Sequence, residues 1–139
     1  MAASAIGFLF PGQGAQSVGM GRGFYDAFPA VKAVYEEASS ILGYDVAKLC
    51  FEGPVERLNL TEYTQPALLV SSAAALKALE PAGVSPLAVA GHSLGEYSAV
   101  FAAGGVSFRD AVSLVHKRGR YMAEAVPAGT GLVAALLGL

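Results

Sequence analysis

The segment Leu87-Ala88-Val89-Ala90-Gly91-His92-Ser93-Leu94-Gly95-Glu96-Tyr97-Ser98-Ala99 constrains the fold more than any other part of the chain. Four small or apolar residues suited to a buried strand run into Gly-His-Ser-Leu-Gly, and Tyr97, Val100 and Phe101 then continue at helical spacing. This is the Gly-x-Ser-x-Gly pattern of a strand, a tight turn and a helix. A Cβ two positions to either side of the serine would collide with neighbouring backbone, which is why both flanking positions are glycine. The turn leaves the Ser93 hydroxyl at the carboxyl end of a strand and at the positive end of a helix, a place suited to a nucleophile. Five-residue matches arise by chance, but chance does not usually supply both the strand and the helix.

A chain of 139 residues is one domain's worth, able to bury about two thirds of its unfolded surface. Its formal net charge of −2 and its lack of any Lys and Arg cluster exclude a nucleic-acid-binding surface. Small molecules or proteins are the expected partners. Cys50 is the only cysteine, so neither an intrachain disulfide nor a cysteine-based metal site can form. A reducing, cytoplasmic setting is expected, and no metal. The apolar start, Met1 to Phe10, lacks a basic leading region and is broken by Pro11-Gly12-Gln13-Gly14, unlike a signal peptide. The apolar stretches Pro66 to Leu79 and Gly131 to Leu139 are too short or too rich in alanine and serine to span a bilayer, so no membrane association is expected.

In chain order, Ile6 to Phe10 reads as a central strand ending in a glycine-rich loop that runs to Gly21. The loop lacks the spacing of a nucleotide-binding motif. Gln13 either supplies an amide to a polarised oxygen or is a solvated loop residue. Pro29 opens an amphipathic helix through Val31, Val34, Tyr35, Ala38, Ile41 and Leu42, closed by Gly43. Asp45 to Phe51 is another helical turn or two, taken with Cys50 as core. Thr61 or Thr64 can cap the next helix, with Pro66 near its first turn. From Ala67 to Leu79 that helix is apolar or small on nearly every face and should lie buried beside the strand bearing Ser93. Gln65, at its N-terminal end, is a cap or a solvated residue, or else lines the pocket.

After Gly104-Gly105, Ser107-Phe108-Arg109-Asp110 resembles a capping box that opens a helix to about Val126. Its expected apolar stripe is Ala111, Leu114, Val115, Met122 and Ala125. Arg118 falls about 20° from Ala111 on that stripe. Lys117 and Arg120 face water. A guanidinium keeps its proton, so an inward Arg118 needs an anion, either a carboxylate such as Glu96 or an acidic substrate, unless its stem snorkels to solvent. Near an activated serine, a bidentate seat for a substrate carboxylate is the stronger reading.

Serine attack also needs a base, normally histidine. His92 adjoins Ser93 in the turn, where neighbouring side chains diverge, so it is expected to orient the elbow. His116 lies about 140° from Arg118 around the helix and is expected to face solvent. Neither is well placed to take the proton.

Phe10-Pro11-Gly12-Gln13-Gly14-Ala15-Gln16, Thr64-Gln65-Pro66-Ala67-Leu68, Gly91-His92-Ser93-Leu94-Gly95-Glu96-Tyr97-Ser98 and Arg118-Gly119-Arg120-Tyr121-Met122 together resemble malonyl-CoA:acyl carrier protein transacylases and the acyltransferase domains of polyketide synthases. The resemblance runs through the whole chain in order. It implies an α/β fold with a parallel-sheet, hydrolase-like core, carried by residues 1–128. It further implies that 129–139 begin a small ferredoxin-like subdomain, most of which lies beyond this sequence. The implied reaction is ping-pong transfer of malonyl from malonyl-CoA, a thioester substrate with no further cofactor, through a malonyl-Ser93 ester to acyl carrier protein in fatty acid synthesis. The backbone N–H of Leu94 and an amide at Gln13 match the oxyanion donors, Arg118 matches the arginine that pairs with the malonyl carboxylate, and Gln65 and His92 match pocket residues. The family's catalytic histidine lies beyond Leu139, so the resemblance implies that this chain alone is inactive and needs the remainder of the enzyme.

Two other functions share part of this pattern. A serine esterase would use the elbow but not an inward arginine. A noncatalytic module would dock acyl carrier protein and leave Ser93 unacylated.

Overall fold

The computed structural model describes residues 6–126 and 129–131, and the expected strand Gly131 to Leu139 falls outside them beyond its first residue. Strand β1 (Gly7–Phe10) and strand β2 (Ala88–Gly91) pair in parallel, with Gly7 opposite Ala88 and Phe10 opposite Gly91. Between them come α1 (Arg22–Ala27), α2 (Pro29–Leu42), α3 (Val46–Glu52), α4 (Val55–Leu58), α5 (Thr61–Leu79) and a single 3-10 turn, Glu80–Ala82. Helices α6 (Gly95–Ala102) and α7 (Phe108–Ala125) follow β2. Parallel strands joined by a helical crossover, with a helix leaving β2 at the elbow, are the α/β arrangement expected from the sequence.

Local signals explain most boundaries. Pro29 stands in the first turn of α2, and Gly43 closes it with φ 76°. The Asp45 carboxylate caps α3 by accepting from the Lys48 N–H at 2.8 Å. Ser107 caps α7, its hydroxyl oxygen accepting from the Asp110 N–H at 3.1 Å, so the capping sequence acts as read. Helices α1 and α4 were not expected. Both are short, six and four residues.

The core gathers on α5. Ten of its residues are buried, Gln65 and Thr64 among them, and α7, α2 and α6 cover it. Its nearest neighbour is α7, not the strand bearing Ser93. Neither Thr61 nor Thr64 caps it: Leu60 holds that position, and the Thr64 hydroxyl inside the helix donates to the carbonyls of Leu58 and Leu60. Pro66 likewise lies within the helix, six residues in, where its missing N–H forfeits one backbone bond. Cys50 is buried as expected, and desolvation pushes its thiol up to about 12.

Two expectations about burial fail. The strands do not form a central, enclosed sheet among the described residues. Alternation turns Leu9 to one open face, where it is 83% exposed, and Leu87 beside β2 is 81% exposed. On α7 the inward residues are Ala111, Val112, Val115 and Gly119. Leu114 and Met122 are instead largely exposed. The stripe is rotated because α7 closes on α5 through glycine: a Cβ at Gly119 would lie 2.9 Å from both Glu62 Cα and Thr61 O. Gly119→Ala is therefore expected to destabilise the fold by about 1–3 kcal/mol of overpacking, only partly offset by about 0.5–1 kcal/mol of helix propensity. A urea midpoint that rose instead would show that the helices separate at no cost.

Candidate active site

The two strands end side by side, and each delivers a loop to the same place. At the end of β2, the His92 N–H donates to the Phe10 carbonyl at 3.1 Å. Gly91 abuts the backbone of Gly95 and Glu96, and Gly95 abuts the Phe10 carbonyl, so any side chain at either position would drive the turn apart. Ser93 between them has φ 51° and is the one non-glycine residue with positive φ among the described residues. Strain of this kind is held only where surroundings enforce it, and here it presents the hydroxyl to solvent at the start of α6.

The loop after β1 presses on this turn. A Cβ at Gly12 would lie 2.6 Å from the His92 carbonyl oxygen and 2.8 Å from its Nδ1. Gln13 follows at the second position of a turn in which the Ala15 N–H reaches the Gly12 carbonyl at 3.3 Å. The Gln13 side-chain amide donates to Thr61 Oγ1 at 3.0 Å. It is thus the Gln13 backbone N–H that has no backbone partner among the described residues, and the same is true of Leu94. Backbone N–H groups left without a backbone partner in two loops packed on one another are of the kind that a developing oxyanion requires.

Arg118 completes the cluster. Its Nη1 donates to Gln65 Oε1 at 2.7 Å and its Nη2 to Ser93 Oγ at 3.1 Å. The guanidinium also lies 5.7 Å from the centre of the Tyr97 ring. Gln65 is fully buried, and its Nε2 donates to Met122 Sδ at 3.2 Å, so its carbonyl is turned to the arginine. Gln65 is thus neither a cap nor a solvated residue. Glu96 does not neutralise Arg118: the ion pairs among the described residues are Arg22 with Asp26, Lys77 with Glu80 and Arg120 with Glu124. A half-buried cation held by neutral groups beside a serine hydroxyl has the chemistry to meet an anion.

The histidines separate. His92 lies in the turn, exposed, against Gly12. His116 does not face solvent as expected. It is half-buried, and its Nδ1 is buried with no partner among the described residues, because the inward face of α7 is rotated towards Val112 and Val115. Neither ring is hydrogen-bonded to Ser93 there. No group of three His, Cys, Asp or Glu side chains is placed to hold a metal among the described residues.

Sequence reasoning missed Tyr97, Met122 and Thr61 as members of this cluster. Helical spacing carried a signal: Tyr97 is one turn beyond Ser93, Met122 one turn beyond Arg118, and Thr61 one turn before Gln65.

Residues 7–137 match the acyl transferase domain family. The malonyl CoA-acyl carrier protein transacylase of Bacillus subtilis (strain 168) is 53% identical over 136 residues, which is 98% of this chain and 43% of that protein. The crystal structure of malonyl CoA-acyl carrier protein transacylase from Clostridium perfringens superposes with a TM-score of 0.85 at 49% identity, covering 91% of this chain and 40% of the other. A malonyl-transacylase solved in complex with a type II PKS acyl-carrier protein gives a TM-score of 0.86 at 48% identity, covering 91% of this chain and 41% of that one. This chain therefore spans well under half the length of these relatives.

Proposed function

Because the chain belongs to the acyl transferase domain family, we propose that it carries the nucleophile and the acid-binding half of the active site of a malonyl transferase. The substrates are malonyl-CoA and the phosphopantetheine thiol of an acyl carrier protein, in fatty acid synthesis. The names of the similar proteins support this, as does the similar transacylase bound to a carrier protein. A cytoplasmic setting accompanies the reading. No helix of the described residues is long and apolar enough to cross a membrane.

In the reaction, Ser93 Oγ attacks the thioester carbonyl carbon while a general base takes its proton. The carbonyl oxygen becomes an oxyanion between the backbone N–H groups of Gln13 and Leu94, and collapse of the intermediate breaks the C–S bond and releases coenzyme A. The carrier thiol then repeats the sequence on the malonyl-Ser93 ester. Neither histidine of this chain is hydrogen-bonded to Ser93 among the described residues, and the reading assigns the base to a histidine in the remainder of the enzyme, as the family resemblance implies.

The observation that carries the reading is the 3.1 Å bond between Arg118 and Ser93 Oγ, made by a guanidinium with no carboxylate partner among the described residues. A cation that touches the nucleophile can reach a carboxylate two carbons from the acyl carbon. A neutral acyl chain leaves that charge unanswered. Intact-mass spectrometry tests this with the chain extended to the length of its relatives and mixed with malonyl-CoA. A malonyl adduct mapped to Ser93, slower to form on the 139-residue chain, is the expected result. Hydrolysis of uncharged esters with no stable adduct would favour an esterase, and carrier binding without any adduct would favour a docking module.

A further inference from the structure

We infer that Gln16 is a positioning residue that holds the Gln13 backbone N–H on the oxyanion, an inference that rests on the acyl-transfer reading above. The turn that presents this N–H is weakly closed. Its own backbone bond, from the Ala15 N–H to the Gly12 carbonyl, is long at 3.3 Å, and Gly14 stands at φ 110°, a conformation that glycine leaves freely.

Gln16 makes up for this from two sides. Its Oε1 accepts from the Gly14 N–H at 2.7 Å, and its Nε2 donates to Asn59 Oδ1 at 2.9 Å. One carboxamide thus pins the turn internally and fastens it to the junction of α4 and α5. That junction is firm. Leu58 is fully buried, the Asn59 N–H closes α4 on the Val55 carbonyl at 2.9 Å, and the buried Thr64 hydroxyl ties the Leu58 and Leu60 carbonyls together. Gln13 adds a second tie to the same junction through Thr61, but that tie holds its side chain. The peptide carrying the Gln13 N–H is joined through one residue to the peptide whose Gly14 N–H Gln16 holds, so fixing the second limits the freedom of the first. Donors aimed at an oxyanion lose effect rapidly with misplacement.

The test uses the chain extended to the length of its relatives. Gln16→Ala is expected to lower kcat for malonyl transfer by about ten- to a hundredfold, with KM for malonyl-CoA and the thermal midpoint little changed, because the oxyanion exists only in the transition state. Asn59→Ala should reproduce the loss, and the double variant should be no worse than either single one. Asn59→Asp keeps the accepting oxygen and should keep most of the rate. A Gln16→Ala enzyme with unchanged kcat, or one whose loss follows its unfolded fraction or appears in KM, would overturn the inference while leaving the acyl-transfer reading intact. Failure of the unsubstituted protein to acylate Ser93 would instead overturn the reading beneath it.

Discussion

Ser93→Ala is expected to abolish the malonyl adduct and to lower acyl transfer by about ten-thousandfold or more, the scale on which loss of a nucleophile is felt when the oxyanion donors remain. The substitution should leave the fold intact. The serine side chain is exposed, alanine carries the same Cβ at the same strained φ of 51°, and the only side-chain bond lost among the described residues is the one from Arg118. Circular dichroism and a urea midpoint near that of the unsubstituted protein would therefore accompany an inactive enzyme. A variant that still acquires malonyl, at Ser93's neighbours or elsewhere, would remove the elbow from the mechanism.

The second large effect is selective. Arg118→Ala should lower kcat/KM for malonyl-CoA by about a hundred- to a thousandfold, in line with the 2–5 kcal/mol that truncating one member of a hydrogen-bonded charge pair costs. Acetyl-CoA, which has no distal carboxylate, should lose little, so the ratio of the two substrates is the quantity to measure. Arg118→Lys should not rescue. A single ammonium cannot face Gln65 at 2.7 Å and a ligand near Ser93 at the same time as a planar fork does. An equal fall for both acyl groups would make Arg118 a support for the pocket, not a reader of its contents.

Local chemistry was legible in the sequence wherever a short-range rule applies. The elbow at Gly91 to Gly95, the Ser107 cap and the Pro29 and Gly43 limits of α2 all depend on residues a few positions apart or on one helical period. Burial was less legible. The stripe on α7 was misplaced because Gly119 contributes no side chain to a periodicity count, yet it is the residue that lets α5 approach. Leu9 and Leu87 have the composition of interior strand residues, but only a partner element can bury them, and none of the described residues does. Thr64 was read as a cap because threonine often is one. Its hydroxyl turns back to carbonyls inside the helix instead. The clamp of Gln16 on Asn59 joins residues 43 positions apart, and no pattern along one segment encodes it.

The contact of Gly12 with His92 and of Gly95 with Phe10 has a consequence for how such a site tolerates mutation. The N–H groups proposed as oxyanion donors are main-chain atoms, so every residue but proline supplies them at positions 13 and 94. The side chains there are held for other reasons: Leu94 is fully buried, and the Gln13 amide is tied to Thr61. Length is the parameter with no slack. A single residue inserted between Phe10 and Gln13, or between Gly91 and Gly95, would separate two backbones whose spacing admits no Cβ. Such a turn is closed to insertion.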